Sequence, residues 1–281
     1  MDIESFWEYS DPSASEKRFR TALEAASGDE RLELLTQIAR TYSLRGKSEE
    51  AHVLLDEIEP ELTGAGYPPK VRYELERGRA YNSTGVIEKA QAHFQAAWKI
   101  GRTAGLEGLA VDAAHMLAIT YSGQPEALDW ANRGLAIARV SGEPKARALI
   151  PAMLNNAAWD LHDQGRFKEA LLLFEEALTE WTSTGKDPHI KIARWSVARC
   201  LRSLGQSEQA LSIQLELESA HPLTGISSGF LNEEIGENLW ALGRRDLAKT
   251  YFRKAIEELS QDDWLVQNEP ARLNDLKSRA E

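Results

Sequence analysis

The sequence predicts an all-α fold built of repeated helix pairs, and three observations predict it. Apolar and small residues recur with the i, i+3, i+4, i+7 spacing that lays one stripe along a helix face. A unit of two such stripes joined at a glycine recurs six times within the 281 residues. Strand signals are weak: no long stretch alternates polar and apolar residues, and no Asn-Gly or Asp-Gly hairpin turn occurs.

The clearest copy runs from Asn155 to Trp181. Leu154, Ala157, Ala158 and Leu161 form one stripe, Gly165 the turn, and Ala170, Phe174, Ala177, Leu178 and Trp181 the second stripe. The small residues fall where two helices approach closely, and the bulky ones fill the gaps beside them.

Along the chain, residues 1–11 read as irregular, with Phe6, Trp7 and Tyr9 as anchors. Asp11-Pro12 reads as a helix start, because Asp accepts orphan N–H groups and Pro at the first helical position has none to lose. That helix carries Phe19, Leu23 and Ala26 and is expected to end near Gly28, capping the first repeat. Repeat one has Leu35, Ile38, Ala39 and Tyr42, a turn at Gly46, then Ala51, Leu55 and Ile58, with Ser48 expected to cap the second helix. Glu49 and Glu50 suit the dipole of that helix start. After the Gly64–Pro69 break, repeat two has Gly78 and Tyr81, Gly85, then Ala90, Phe94 and Ala97. Repeat three is contracted: Leu117, Ala118 and Tyr121 lead through Ser122-Gly123 to Ala127 and Ala131, with about three residues missing from the turn. Repeat four is the stretch described above. Asp187-Pro188 opens repeat five, with Val197, Ala198, Leu201, Gly205, Ala210, Leu217 and Pro222. Repeat six has Ile235, Gly236, Leu239, Gly243, Ala248, Phe252 and Ala255. After Gln261-Asp262-Asp263, a short amphipathic helix from Pro270 through Leu273 and Leu276 closes the last apolar face.

Composition removes several function classes. The formal charge is −11, from 44 acidic against 33 basic residues, with no long Lys/Arg run, so the chain is not expected to bind nucleic acid. A single cysteine, Cys200, rules out an internal disulfide framework and reads as a small core residue. The opening residues lack the basic start and apolar core of a signal peptide, and no apolar run approaches the roughly 20 residues of a membrane span. A cytoplasmic protein without membrane attachment is expected. No H-E-x-x-H, G-x-x-x-x-G-K-[ST], G-x-S-x-G or paired C-x-x-C occurs, so neither a catalytic residue nor a cofactor or metal is expected. His115 with Asp112, and Asp160 near Asp163, are spacings common on ordinary helices.

These residues resemble the tetratricopeptide repeat family, whose unit reads W-x2-L-G-x2-Y, then A-x3-F, then Pro. A-x3-F appears as Ala90/Phe94, Ala170/Phe174 and Ala248/Phe252, and the small residue at position eight as Ala39, Gly78, Ala118, Ala158, Ala198 and Gly236. The key alanines fall at 51, 90, 127, 170, 210 and 248, a longer period than the family's usual length of about 34. The leading Trp is replaced by Leu35, Glu74, Ala114, Leu154, Arg194 and Asn232, so repeats two and five should pack less tightly there. The resemblance implies a right-handed α-solenoid superhelix of stacked antiparallel helix pairs. Its parts would be an N-terminal segment and capping helix over 1–28, about six repeats over 29–262, and a C-terminal capping helix over 263–281.

The resemblance further implies that positions 2, 5, 9, 12 and 13 of each first helix line an inner groove. They are Arg40, Arg72, Arg79, Asn82, His115, Asn155, Trp159, His162, Trp195, Arg199, Arg202, Glu237 and Trp240. Arg forks and Asn amides suit carboxylates and peptide backbone, while indoles bury side chains. The expected function is a non-enzymatic scaffold or adaptor binding a peptide or protein segment, acidic or C-terminal in character. The other reading of the arginines has them solvated or paired with nearby glutamates. Trp98, Trp130 and Trp181, on second helices, read as core. The carboxylate clamp of some family members is not recognisable: Asn156 fits one position, but Ile192, Ser196, Thr36 and Glu76 break the pattern. The alternatives are a self-associating homodimer and an all-α hydrolase-like regulator.

Overall fold

A computed structural model describes residues 2–220 and 227–281, and no strand occurs among them. Pro222 of repeat five lies outside the described residues. Contacts divide the chain into two compact units, Met1–Met153 and Leu154–Glu281.

In unit 1, Asp11 caps α1 (Pro12–Leu23), its carboxylate accepting the Ala14 N–H at 3.0 Å. The helix stops at Leu23, short of the expected end. Gly28, with φ of +55°, instead opens α2 (Gly28–Leu44). The pairs follow: α2 with α3 (Ser48–Ile58), α4 (Tyr67–Ser83) with α5 (Ile87–Ala104), and α6 (Glu107–Thr120) with α7 (Pro125–Ala138). A five-residue helix, α8 (Pro144–Ala148), comes next. First helices stack on first helices, α2 on α4 and α4 on α6, and the short α8 packs on α6. Ahead of α1, Ile3–Phe6 forms a 3-10 turn where irregular chain was expected, with Asp2 accepting the Glu4 N–H.

Position eight is small because a phenylalanine ring lies over it. A Cβ on Gly78 would fall 2.5 Å from the Phe94 ring, and Phe94 is fully buried. Two details depart from the sequence reading. Ser48 does not cap α3; it is the first helical residue, and its hydroxyl meets that of Ser83 at 2.8 Å, tying repeat one to repeat two. The contraction of repeat three comes out of the helix, not the turn. α6 stops two residues after Ala118, whereas α2 and α4 run five residues past Ala39 and Gly78.

The division between units falls within α9 (Ile150–Asp163). Pro151 in its first turn has no N–H to donate backward, which fits a break from α8 at Leu149. Unit 2 continues with α10 (Phe167–Thr184), α11 (Asp187–Ser203), α12 (Ser207–Ser219), α13 (Ser228–Ala241) and α14 (Arg245–Leu259). Gly236 meets Phe252 as Gly78 meets Phe94, with a Cβ 2.6 Å from the ring. A short helix not anticipated from the sequence, α15 (Asp263–Asn268), starts where Asp262 accepts the N–H groups of Trp264 and Leu265 at 2.9 and 3.1 Å. It leads to α16 (Pro270–Ala280), whose Leu273 and Leu276 are buried in one cluster with Leu259 and Phe252.

Where the family tryptophan is replaced by charge, a polar side-chain contact joins the two helices of the repeat. Glu74 meets His93 at 2.6 Å, and Arg194 meets Glu216. Trp98, Trp130 and Trp181 are half-buried rather than core: Trp98 and Trp130 meet edge to face at 5.5 Å, and Trp181 stacks on His189 at 4.2 Å. Cys200 is buried, its thiol pushed up to about 11 by that burial, and it donates to the Phe167 carbonyl.

Candidate functional site

A helix packed on two neighbours and on its own repeat partner keeps one narrow face free, and in both units that face of the first helices carries charge. In unit 1 the arginines are not free cations. Arg72 donates to Glu33 at 2.7 Å. Arg79 donates to Glu76 at 2.7 Å and to Asp112 at 2.6 Å, joining α4 to α6. Burial raises the Asp112 carboxyl, but Arg79, Arg40 and Lys145 overcome it and hold the group well below the usual carboxylate range. Arg40 lies 3.9 Å from Glu76 and sets its guanidinium over the rings of Trp7 and Tyr9, at 5.3 and 5.5 Å. Burial pushes the neighbouring His115 imidazole down, with Asp112 opposing and Arg79 adding to the shift. Asn82 is half-buried near the end of α4.

Unit 2 repeats the arrangement. Glu234 of α13 receives Arg202 in a two-pronged contact at 2.8 and 2.9 Å, and Arg199 at 3.0 Å, both from α11. Beyond it Arg272 and Arg279 of α16 reach back to Glu233 and Glu237 of α13. Trp240 is covered by Arg245, whose guanidinium carbon is 3.6 Å from the ring centroid. Glu76 meets both Arg40 and Arg79, and Glu234 meets both Arg199 and Arg202, so each carboxylate gathers two of the expected groove arginines. The sequence reading did not say which glutamates answer them. Glu76 and Glu234 both stand two residues before the small residue of their repeat, so position six carried the signal. Arg40 reaches toward Glu76, and Arg199 toward Glu234, from position nine of the preceding repeat.

Two of the three predicted groove tryptophans come together. Trp159 of α9 and Trp195 of α11 have ring centroids 6.0 Å apart, and both are half-buried. Trp159 sits edge to face on buried Phe174 at 5.0 Å. The Trp195 indole N–H is turned inward and meets no acceptor among the described residues, so the ring offers a ligand its face rather than its donor. Asn155 accepts from Ser196 at 3.5 Å beside them. His162 is buried, with Nε2 2.9 Å from the Ser203 hydroxyl and Nδ1 3.4 Å from Asp163. That serine also accepts from Arg199 at 2.6 Å, so its hydroxyl is held as a strut between α9 and α11. Burial, reinforced by Arg199, keeps the His162 imidazole below its ordinary range, with Asp163 opposing. Among the described residues no three His, Cys, Asp or Glu side chains are grouped to hold a metal ion. No described helix is long and apolar enough to cross a membrane.

Comparison with known proteins agrees with this architecture. Residues 152–184 and residues 232–258 each match the tetratricopeptide repeat family. No curated protein matches the chain. Among solved structures, the apo form of RapI aligns over 93% of this chain and 74% of its own, with 14% identity and a TM-score of 0.70. A signal-transduction ATPase with a tetratricopeptide repeat sensor, PH0952 from Pyrococcus horikoshii, aligns over 96% of this chain but only 42% of its own, with 14% identity and a TM-score of 0.72. NprR in complex with its cognate peptide NprX aligns over 98% and 81%, with 16% identity and a TM-score of 0.59. At these identities the likeness is one of fold. With the repeat matches, the position-eight packing and the stacked first helices, it leads to one conclusion: the chain carries tetratricopeptide repeats.

Proposed function

We propose that the chain is a peptide-binding scaffold and that the first-helix wall of unit 2 is a binding surface. The observation that carries this reading is the Trp159–Trp195 pair: two half-buried indoles on successive first helices, 6.0 Å apart. Two indole faces with an amide and an arginine beside them suit an extended segment carrying an apolar side chain. Because Glu234 already answers Arg199 and Arg202, these arginines contribute shape and hydrogen bonds more than net positive charge. The similar fold of NprR, whose structure is in complex with its cognate peptide NprX, supports peptide binding as a use of this fold.

The test is a selection from a displayed peptide library on the wild-type chain, followed by affinities for the enriched sequence. Trp159→Leu with Trp195→Leu keeps the apolar bulk over Phe174 and removes the indole faces. Affinity should fall by about 2 kcal/mol or more, near 30-fold, the loss expected of a central aromatic anchor. Equal affinity in a folded double variant would remove this wall from the reading.

A further inference from the structure

The wall of unit 1 already holds a peptide segment, and it belongs to the chain itself. Two residues anchor the segment from Ile3 to Tyr9: Ile3 is buried in the first core cluster, and Phe6 packs on Phe19 at 5.8 Å. Three others turn toward the first helices. Trp7 donates its indole N–H to Gln37 of α2 at 3.1 Å and also meets Phe19 edge to face at 5.1 Å. Tyr9 stacks flat on Trp7 at 4.9 Å, and Arg40 covers both rings. Glu4 pairs with Lys145 of α8 and lies 3.8 Å from Arg72 of α4. One carboxylate and two stacked rings thus bridge α2, α4 and α8, with a pair 141 residues apart in sequence. A cavity of about 230 Å³ stays open beside Glu4 and Tyr9, bordered by Arg40, Asp112, Lys145 and Leu149.

We infer that this wall is a binding site for a peptide with a carboxylate residue followed three and five positions later by aromatic residues, and that Ile3–Tyr9 is its built-in occupant. The inference concerns unit 1 and does not rest on the tryptophan wall of unit 2. The segment's hold is exchangeable by construction. The Glu4 and Lys145 side chains are 40% and 30% exposed, and Tyr9 is 56% exposed. Ion pairs of that exposure contribute little on their own. What keeps the occupant in place is the packing of Ile3, Phe6 and Trp7 on the first core cluster together with its short tether, which gives an effective concentration on the order of millimolar. A peptide of the same chemistry therefore binds the intact chain weakly, in proportion to the fraction of walls left open.

The test uses a fluorescent peptide of residues 2–10 and the full chain, read by anisotropy. In the variant Glu4→Gln, Trp7→Ala, Tyr9→Ala, with Ile3 and Phe6 retained, the peptide should bind about tenfold more tightly than to the wild type, as expected when a mostly occupied site is vacated. Adding Lys145→Glu should abolish that gain. Equal binding to both chains, or none to a variant with a wild-type circular dichroism spectrum, overturns the proposal. Should loss of Trp7 disturb the fold, hydrogen exchange on the wild-type chain decides. Saturating peptide should speed exchange of amides 4–9, and unchanged exchange overturns the inference. A concentration-dependent dimer that binds no peptide would assign the wall to the segment of a second copy and overturn it as well.

Discussion

Glu234 carries two arginines on one carboxylate while only 4% exposed, so its charge is stabilised almost wholly by its neighbours. Glu234→Gln should lower unfolding stability by about 2 kcal/mol, the scale of a buried charge-assisted hydrogen bond, seen as a lower urea midpoint. The histidines point the same way with pH. Burial lowers His52, His115 and His162 in the folded chain, so the unfolded chain binds more protons once pH falls below about 6.5. Their contribution is present above that value and is lost as pH falls through the lowered folded values. The thermal midpoint should drop between pH 7.5 and 5.5, and His162→Asn should flatten part of that slope. At this scale the sequence singled out the arginines and tryptophans of the first helices and allowed that the arginines pair with nearby glutamates, without saying which. An arginine at a groove position is visible in one helix. The carboxylate that neutralises it belongs to the first helix of the next repeat, 35 residues away for Arg199 and Glu234, and only stacking brings it near.

Helices and turns were more legible, because their determinants are local. The proline-led start of α1 and the turn at Gly165, with φ of +74°, follow from a few adjacent residues. Gly165→Ala should destabilise by about 1 kcal/mol, since a Cβ strains the left-handed backbone. Gly236→Ala should cost about 1–3 kcal/mol for a different reason, as the added methyl must displace Phe252. Urea unfolding of the two variants, with Phe252→Leu added to each, separates the mechanisms: relief should appear only with Gly236→Ala. What was misread at this scale involved neighbours. Ser48 has the composition of a cap, yet Ser83 of the adjoining repeat takes its hydroxyl. The shortening of α6 was legible as a count of missing residues, but its place was not, because a count does not say whether helix or turn loses them.

For the molecule as a whole, repetition made the fold legible. Six units in one register leave few other ways to bury so many stripes, even with the family's leading tryptophan replaced in each. Nothing in any single unit announced that residues 3–9 would lie across first helices far along the chain. In a stacked array, stability is largely a sum over neighbours, so damage stays local. Leu276→Ala, at a site 1% exposed, should cost about 2–5 kcal/mol. Hydrogen exchange should place that loss in α13–α16 and leave α2–α7 protected as before.

The pairing of position nine with position six of the following repeat has a consequence for how such a chain lengthens. At two junctions the base comes from one side and the acid from the other, Arg40 with Glu76 and Arg199 with Glu234. Repeat two holds both halves, Glu76 and Arg79. A tandem duplication of that segment would create a new seam already matched in charge. Descendants could grow by copying without first acquiring compensating mutations.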